Sequence, residues 1–200
     1  MNERAAALIV PYAVWMALML TLPPGALGYA VRTFATAAAL AWALPQLAWR
    51  QGLRNLMRPS VLGLGVSAGL AVFALWVLPE DCEAYRRFAV AGTSAVTGRS
   101  YDPAVCGWEL TAVRAVGSAF VIAMAEELFF RRWLVRFAGF WATVALFAVE
   151  HDRWLVGAAA GVVYGLLAWR QGLAAAVAAH VTTNLAMAVH VLSGGHWEFW

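Results

Sequence analysis

Lysine is absent from this chain. All fourteen basic residues are arginines, set singly or in pairs between apolar stretches. That spacing excludes a basic patch for nucleic acid and matches anchors that flank membrane segments. Charge as a whole is scarce: Asp, Glu, Lys and Arg make up 12% of the 200 residues, where a soluble domain carries about 25%. Two cysteines are too few for a disulfide-stapled scaffold, and there is no glycine period for collagen. G-x-G-D and H-E-x-x-H are missing too, which removes the usual signatures of an intramembrane aspartyl protease and of a zincin. Broken helices with internal symmetry, which a transporter would show, are not evident.

What is present is apolar. Hydrophobic residues make up 63% of the chain, with 11 Trp and 10 Phe, and the mean hydropathy is +0.70. A soluble globule, at roughly 45–50% apolar, is excluded, and so is intrinsic disorder. The expectation is an all-α fold, a polytopic membrane helix bundle. A spanning helix needs about 20 apolar residues, and about seven stretches qualify: 5–22, 26–49, 60–79, 110–131, 138–150, 155–169 and 173–192. The first has an apolar run too long for a secretory signal. Residues 1–109 are read as N-terminal transmembrane helices plus an outer loop at 80–108, and residues 110–200 as a four-helix catalytic core.

Arginine counting sets the orientation. With the N-terminus in the cytoplasm, Arg4, Arg50, Arg54, Arg58, Arg131, Arg132, Arg136 and Arg170 lie inside, against Arg86, Arg87, Arg99 and Arg153 outside. The excess favours that topology. The expected location is a bacterial inner membrane. Arg32 and Arg114 fall inside spans and are read as snorkelling or paired with a neighbouring helix. Cys82 and Cys106 share the outer loop and are either bridged or two free thiols. Gly157, Gly161 and Gly165 line one face of their span, the pattern of close helix packing. Trp197, Phe199 and Trp200 are read as an interfacial anchor.

Ionisable groups within spans cost about 2.5–3.5 kcal/mol at mid-helix on insertion scales, so each needs a reason. They concentrate late in the chain, at Glu126, Glu127 and Arg131, at Glu150 and His151, and at His180 and Asn184. Glu127 and Arg131 are four apart with the acid first, the favourable order for a helical ion pair. Glu126 points one step round the helix, without a dedicated cation, which suits a general base. His180 and Asn184 are also four apart, so an imidazole and a carboxamide can donate to one oxygen as an oxyanion hole does. Glu150 and Asp152 are expected to pair with Arg153 or face water, and His190 and His196 to be structural.

The set EExxxR, FxxxH and HxxxN, as Glu126/Glu127/Arg131, Phe147/His151 and His180/Asn184, resembles the CPBP family of intramembrane proteases, related to CAAX prenyl endopeptidases and bacteriocin-processing proteins. The resemblance covers about residues 110–200. It looks closest to the CAAX prenyl protease-related branch found beside exosortase sorting systems, on EELFFRRWL at 126–134, EHDRW at 150–154 and the TN…GGHWEFW ending. It implies hydrolysis of a peptide bond in a membrane-anchored protein or peptide, with no nucleic acid and no obligatory cofactor. Glu126 would be the base that deprotonates water and His151 would hold that water. His180 and Asn184 would stabilise the oxyanion, while Glu127 and Arg131 fix the helix end. Two alternatives stay open: a zinc enzyme using His151, His180 and Glu126, and a non-catalytic binding or immunity protein. The span limits place Glu126 and His151 on opposite sides of the membrane, yet the chemistry needs them together. Apolar Trp133, Leu134, Val135 and Phe137 predict that the fourth span continues to about Phe137.

Overall fold

The computed structural model describes residues 3–47, 54–55, 58–90 and 98–200. Arg50, the end of the second predicted span and the middle of the outer loop lie outside the described residues. The fold is an all-α bundle, and no strand occurs among the described residues. Helix α1 is Glu3–Thr21, α2 is Ala26–Ala43, α3 is Pro59–Val77 and α4 is the short Glu83–Ala89. A long helix, α5, spans 108–138. It joins Trp108–Val116, a wide π segment at Gly117–Ile122, the turn Ala123–Glu126 and a second π segment at Glu127–Leu134. Helix α6 covers 140–149, α7 is Trp154–Arg170 and α8 is Leu173–Gly194.

Among the described residues four segments are long and apolar enough to cross a bilayer: Arg4–Thr21, Ala26–Gln46, Pro59–Asp81 and Leu173–Gly194. Large apolar side chains face outward along the helices, among them Leu20, Phe34, Trp141 and Trp169. In water that surface would drive aggregation; in lipid it is the expected exterior. The protein is therefore an integral membrane protein.

The fourth span does run on. Leu134 and Val135 keep helical backbone, and the first break is Gly139, with φ 76° and ψ 173°. A residue with a Cβ rarely adopts that φ, so Gly139 ends α5 and redirects the chain. At 1.5 Å per residue α5 is about 45 Å long, whereas α6 is about 15 Å, half of a hydrocarbon core. The stretch read as a span at 138–150 is thus a short arm. It lifts His151 only part way, to the depth of Glu126.

Lipid supplies no hydrophobic drive between helices, so close packing of small residues holds them. The most extensive helix contact joins α3 to α8. Gly65 lies against Ala178 and Ala175, and Gly69 against Ala179 and Thr182. Gly157, Gly161 and Gly165 of α7 pack on Ala148, Val144 and Phe140 of the α6 arm, as their spacing predicted. A Cβ added at Gly69 would sit 2.4 Å from the Ala179 carbonyl oxygen, a backbone atom with little freedom to move. Gly69→Ala should therefore destabilise by roughly 1–3 kcal/mol as an overpacked contact, read as a lower melting temperature in detergent. Gly63, with nothing within 4 Å of an added Cβ, is the control and should tolerate Ala.

Three segments meet at one end of the bundle. Arg153 pairs with Glu80 just after α3, donates to the Glu198 carbonyl at 3.1 Å and lies over the Phe199 ring at 4.4 Å. Trp154 Nε1 donates to the Phe88 carbonyl. Of the two outcomes expected for Glu150 and Asp152, the ion pair with Arg153 is not formed, since Glu80 takes the arginine; both residues are exposed instead, and Glu150 accepts from Tyr12 Oη on α1. Cys82 and Cys106 are both free. Cys82 is exposed at the start of α4, while the Cys106 thiol lies 3.4 Å from Thr111 Oγ1.

Candidate active site

A cavity of about 330 Å³ runs from that end, past Phe199 and Trp200, to Glu126, His151, His180 and Asn184. All four side chains named from the sequence as chemistry-bearing line it, and they come from α5, the loop after α6 and α8. The α6 arm makes this possible, because a full span before His151 would carry it to the far face. Glu127 and Arg131 do not line this cavity. They are buried behind it, with Phe147 between, its ring 4.6 Å from the Arg131 guanidinium and 5.9 Å from the His180 ring.

Each histidine has one nitrogen committed. His151 Nδ1 lies 2.8 Å from the Phe147 carbonyl oxygen, and since a carbonyl only accepts, Nδ1 carries the proton and Nε2 keeps its lone pair. His180 Nδ1 lies 3.1 Å from Glu127 Oε1, and its Nε2 lies 3.7 Å from Glu126 Oε2. The two adjacent carboxylates therefore converge on opposite nitrogens of one imidazole. This revises the simple picture of Glu126 turned away and Glu127 serving Arg131 alone. Glu126 ends the turn between the two π segments, where the wide backbone departs from the α-helical spacing assumed for it.

The Glu127–Arg131 pair forms, with Nε 3.4 Å from Oε2, inside the protein. It is an electrostatic contact more than a hydrogen bond: Glu127 Oε2 and Arg131 Nε and Nη2 have no hydrogen-bond partner among the described residues. Glu127 is fully buried, while the Glu126 side chain is 12% exposed. Of these two, Glu126 lines the cavity and Glu127 does not; Glu150 is the other glutamate on its wall. Asn184 Nδ2 donates to the Ser118 carbonyl at 2.7 Å, in the first π segment. One amide proton is spent there and one remains.

Sequence reasoning missed several residues that hold this arrangement. Tyr164 on α7 stacks on His180, with ring centroids 4.7 Å apart and planes at 20°. Its hydroxyl donates to Thr183 Oγ1 at 2.7 Å, and that hydroxyl lies 2.9 Å from the Gly69 carbonyl of α3. The only signal was position: Tyr164 precedes Gly165 on the small-residue face. Trp76 lies beside His151, at 5.7 Å. The terminal aromatics are more than an anchor, since Phe199 and Trp200 form part of the cavity wall. Gly65-Val66-Ser67-Ala68-Gly69 spells G-x-S-x-G, but Ser67 is exposed in mid-helix and does not line the cavity.

Comparison with curated proteins and with solved structures returns no match. Residues 108–186 match the family described as type II CAAX prenyl endopeptidase Rce1-like. That stretch starts where α5 starts and ends within α8, so it contains every one of the six charged or polar site residues. In their motifs, in their membrane-helical fold and in this match, residues 108–186 are similar to the Rce1-like family of type II CAAX prenyl endopeptidases.

Proposed function

We propose that the protein is a glutamic-type intramembrane endopeptidase that hydrolyses a peptide bond in a membrane-anchored protein or peptide. The observation that carries this reading is the shared cavity: Glu126, His151, His180 and Asn184 line one space, with Glu126 on it and its neighbour Glu127 buried behind it. Glu126 takes a proton from water while the water oxygen attacks the scissile carbonyl carbon. His151 Nε2, left as an acceptor, holds the water's second hydrogen. The carbonyl oxygen becomes an oxyanion that takes hydrogen bonds from the free amide proton of Asn184 and from His180 Nε2. Donation from Nε2 requires the imidazolium form, in which Nδ1 bonds Glu127. Collapse breaks the C–N bond, and the proton on Glu126 passes to the leaving amine. Pre-aimed donors of this kind are each worth about 10²–10³ in rate.

The expected setting is a bacterial inner membrane with a cytoplasmic N-terminus, and the exosortase-associated branch remains part of the proposal, resting on the strings at 126–134 and 150–154. A zinc reading would need Glu126, His151 and His180 on one ion. Among the described residues no three His, Cys, Asp or Glu side chains are grouped to hold one, and no step is routed through a metal. The test is cleavage of candidate membrane-anchored tails by the purified protein in proteoliposomes, comparing wild type with Glu126→Ala. Strong chelators in the same assay should leave the rate unchanged. Loss on chelation with recovery on zinc would recast His151 and His180 as ligands.

A further inference from the structure

The cavity also holds two cations that the reaction above does not use. Arg32 of α2 lies over Trp15 and Tyr29, at 5.1 and 5.3 Å from the ring centres. Arg114 of α5 lies over Tyr29 at 4.2 Å and Tyr101 at 4.9 Å. All of these side chains line the same cavity as Glu126. Neither arginine has a carboxylate within ion-pair reach among the described residues. Their Nε atoms are buried without a hydrogen-bond partner, and so is the hydroxyl of Tyr29, a residue 3% exposed between them. The expected pairing with a neighbouring helix is found as ring contacts, Arg32 on Trp15 of α1 and Arg114 on Tyr29 of α2, and not as ion pairs.

Aromatic faces attract cations, but they leave guanidinium N–H groups unsatisfied. Two like charges flanking one ring also repel each other. Within a membrane such groups are retained where a ligand or partner completes them. Two guanidinia with no carboxylate facing them, at the wall of a cavity, are the complement of an oxyanion. The geometry points to an anion subsite at Tyr29, Arg32 and Arg114 that binds a carboxylate of the peptide substrate, at its C-terminus or on an acidic side chain near the scissile bond. A peptide carboxylate is favoured over a lipid phosphate because the subsite and Glu126 share one cavity, so whatever fills the catalytic end continues into the cationic end. This inference rests on the endopeptidase reading and adds a charge requirement to its substrate.

Binding tests it apart from catalysis. The full-length Glu126→Gln protein, in phosphatidylcholine nanodiscs, is titrated with three fluorescent probes: dansyl-dodecanoyl-Ala-Val-Leu as the free acid, its C-terminal amide, and dansyl-dodecanoyl-Ala-Glu-Leu amide. At least one acidic probe should bind about tenfold or more tighter than the neutral amide, the gain of a charge-assisted hydrogen bond. Whichever it is identifies the carboxylate as terminal or side-chain. Arg32→Gln and Arg114→Gln should each shrink that preference while leaving affinity for the neutral amide unchanged, and Arg114→Lys should retain part of it. Equal affinity for acid and amide overturns the inference, as does binding of no probe, or a preference that survives in the folded double variant. Loss of the preference when phosphatidylglycerol replaces phosphatidylcholine overturns it too, since a lipid phosphate would then own the site. Should a variant fail to fold, the acid-to-amide ratio of the protein with both arginines still decides. Failure of the wild type to cleave any tail would sink the endopeptidase reading without touching this ratio.

Discussion

Glu126→Gln should cut peptide-bond cleavage by about 10²–10⁴-fold, the usual contribution of a general base, with an unchanged melting temperature. The reasoning is geometric. The amide keeps the shape of the side chain and can still reach His180 Nε2, 3.7 Å from Glu126 Oε2, so the packing around it survives. What it cannot do is accept a proton from water. The loss should fall on kcat and leave KM nearly unaltered, because Glu126 acts on the water and not on the remote parts of the substrate. Its stability consequence should be small, since the side chain is 12% exposed and its nearest charged partner, His180 Nε2, lies at 3.7 Å, beyond hydrogen-bond distance. A folded variant that retains more than about a tenth of the wild-type rate would remove Glu126 from this role.

The fold class was legible, and the candidate site residues were conspicuous, because the bilayer amplifies both. Apolar runs of spanning length and costly ionisable groups stand out against each other, and Glu126, His151, His180 and Asn184 are conspicuous for that reason. The relation between them was less legible. Periodicity assumes an α-helix, yet Gly117–Ile122 and Glu127–Leu134 are π segments, and no residue type announces a wide turn. Gly139 is one of 17 glycines, and its positive φ is visible only in three dimensions. Contacts far apart in sequence were equally hidden: Tyr12 with Glu150, Glu127 with His180, and Asn184 with the Ser118 backbone. Arg32 and Arg114 were noticed as costly charges, but the Tyr29 ring shared between them depends on how α2 packs on α5.

The two adjacent glutamates should part company under mutation. Glu127→Ala removes the fully buried carboxylate and strands the Arg131 guanidinium beside Phe147; Arg131→Ala leaves the carboxylate with His180 Nδ1 alone beside it. Losing one partner of a buried pair costs about 3–5 kcal/mol. The 3.4 Å contact without hydrogen bonds places this pair near the lower end. Both single variants should therefore melt earlier. They should differ in activity, however, because Glu127 also holds His180 Nδ1. Arg131→Ala should lose activity only as far as it loses folded protein, whereas Glu127→Ala should also lower kcat in the folded fraction by freeing the imidazole. Glu127→Gln is the informative intermediate: its carbonyl oxygen still accepts from Nδ1, so kcat should recover in part while the ion pair stays broken. The Glu127→Ala/Arg131→Ala double variant should be milder in stability than the sum of the singles, since no uncompensated charge remains, and a double-mutant cycle reads this as coupling. Arg131 coupling to Glu126 instead, with Glu127→Ala stable but inactive, would mean that the two carboxylates have exchanged roles.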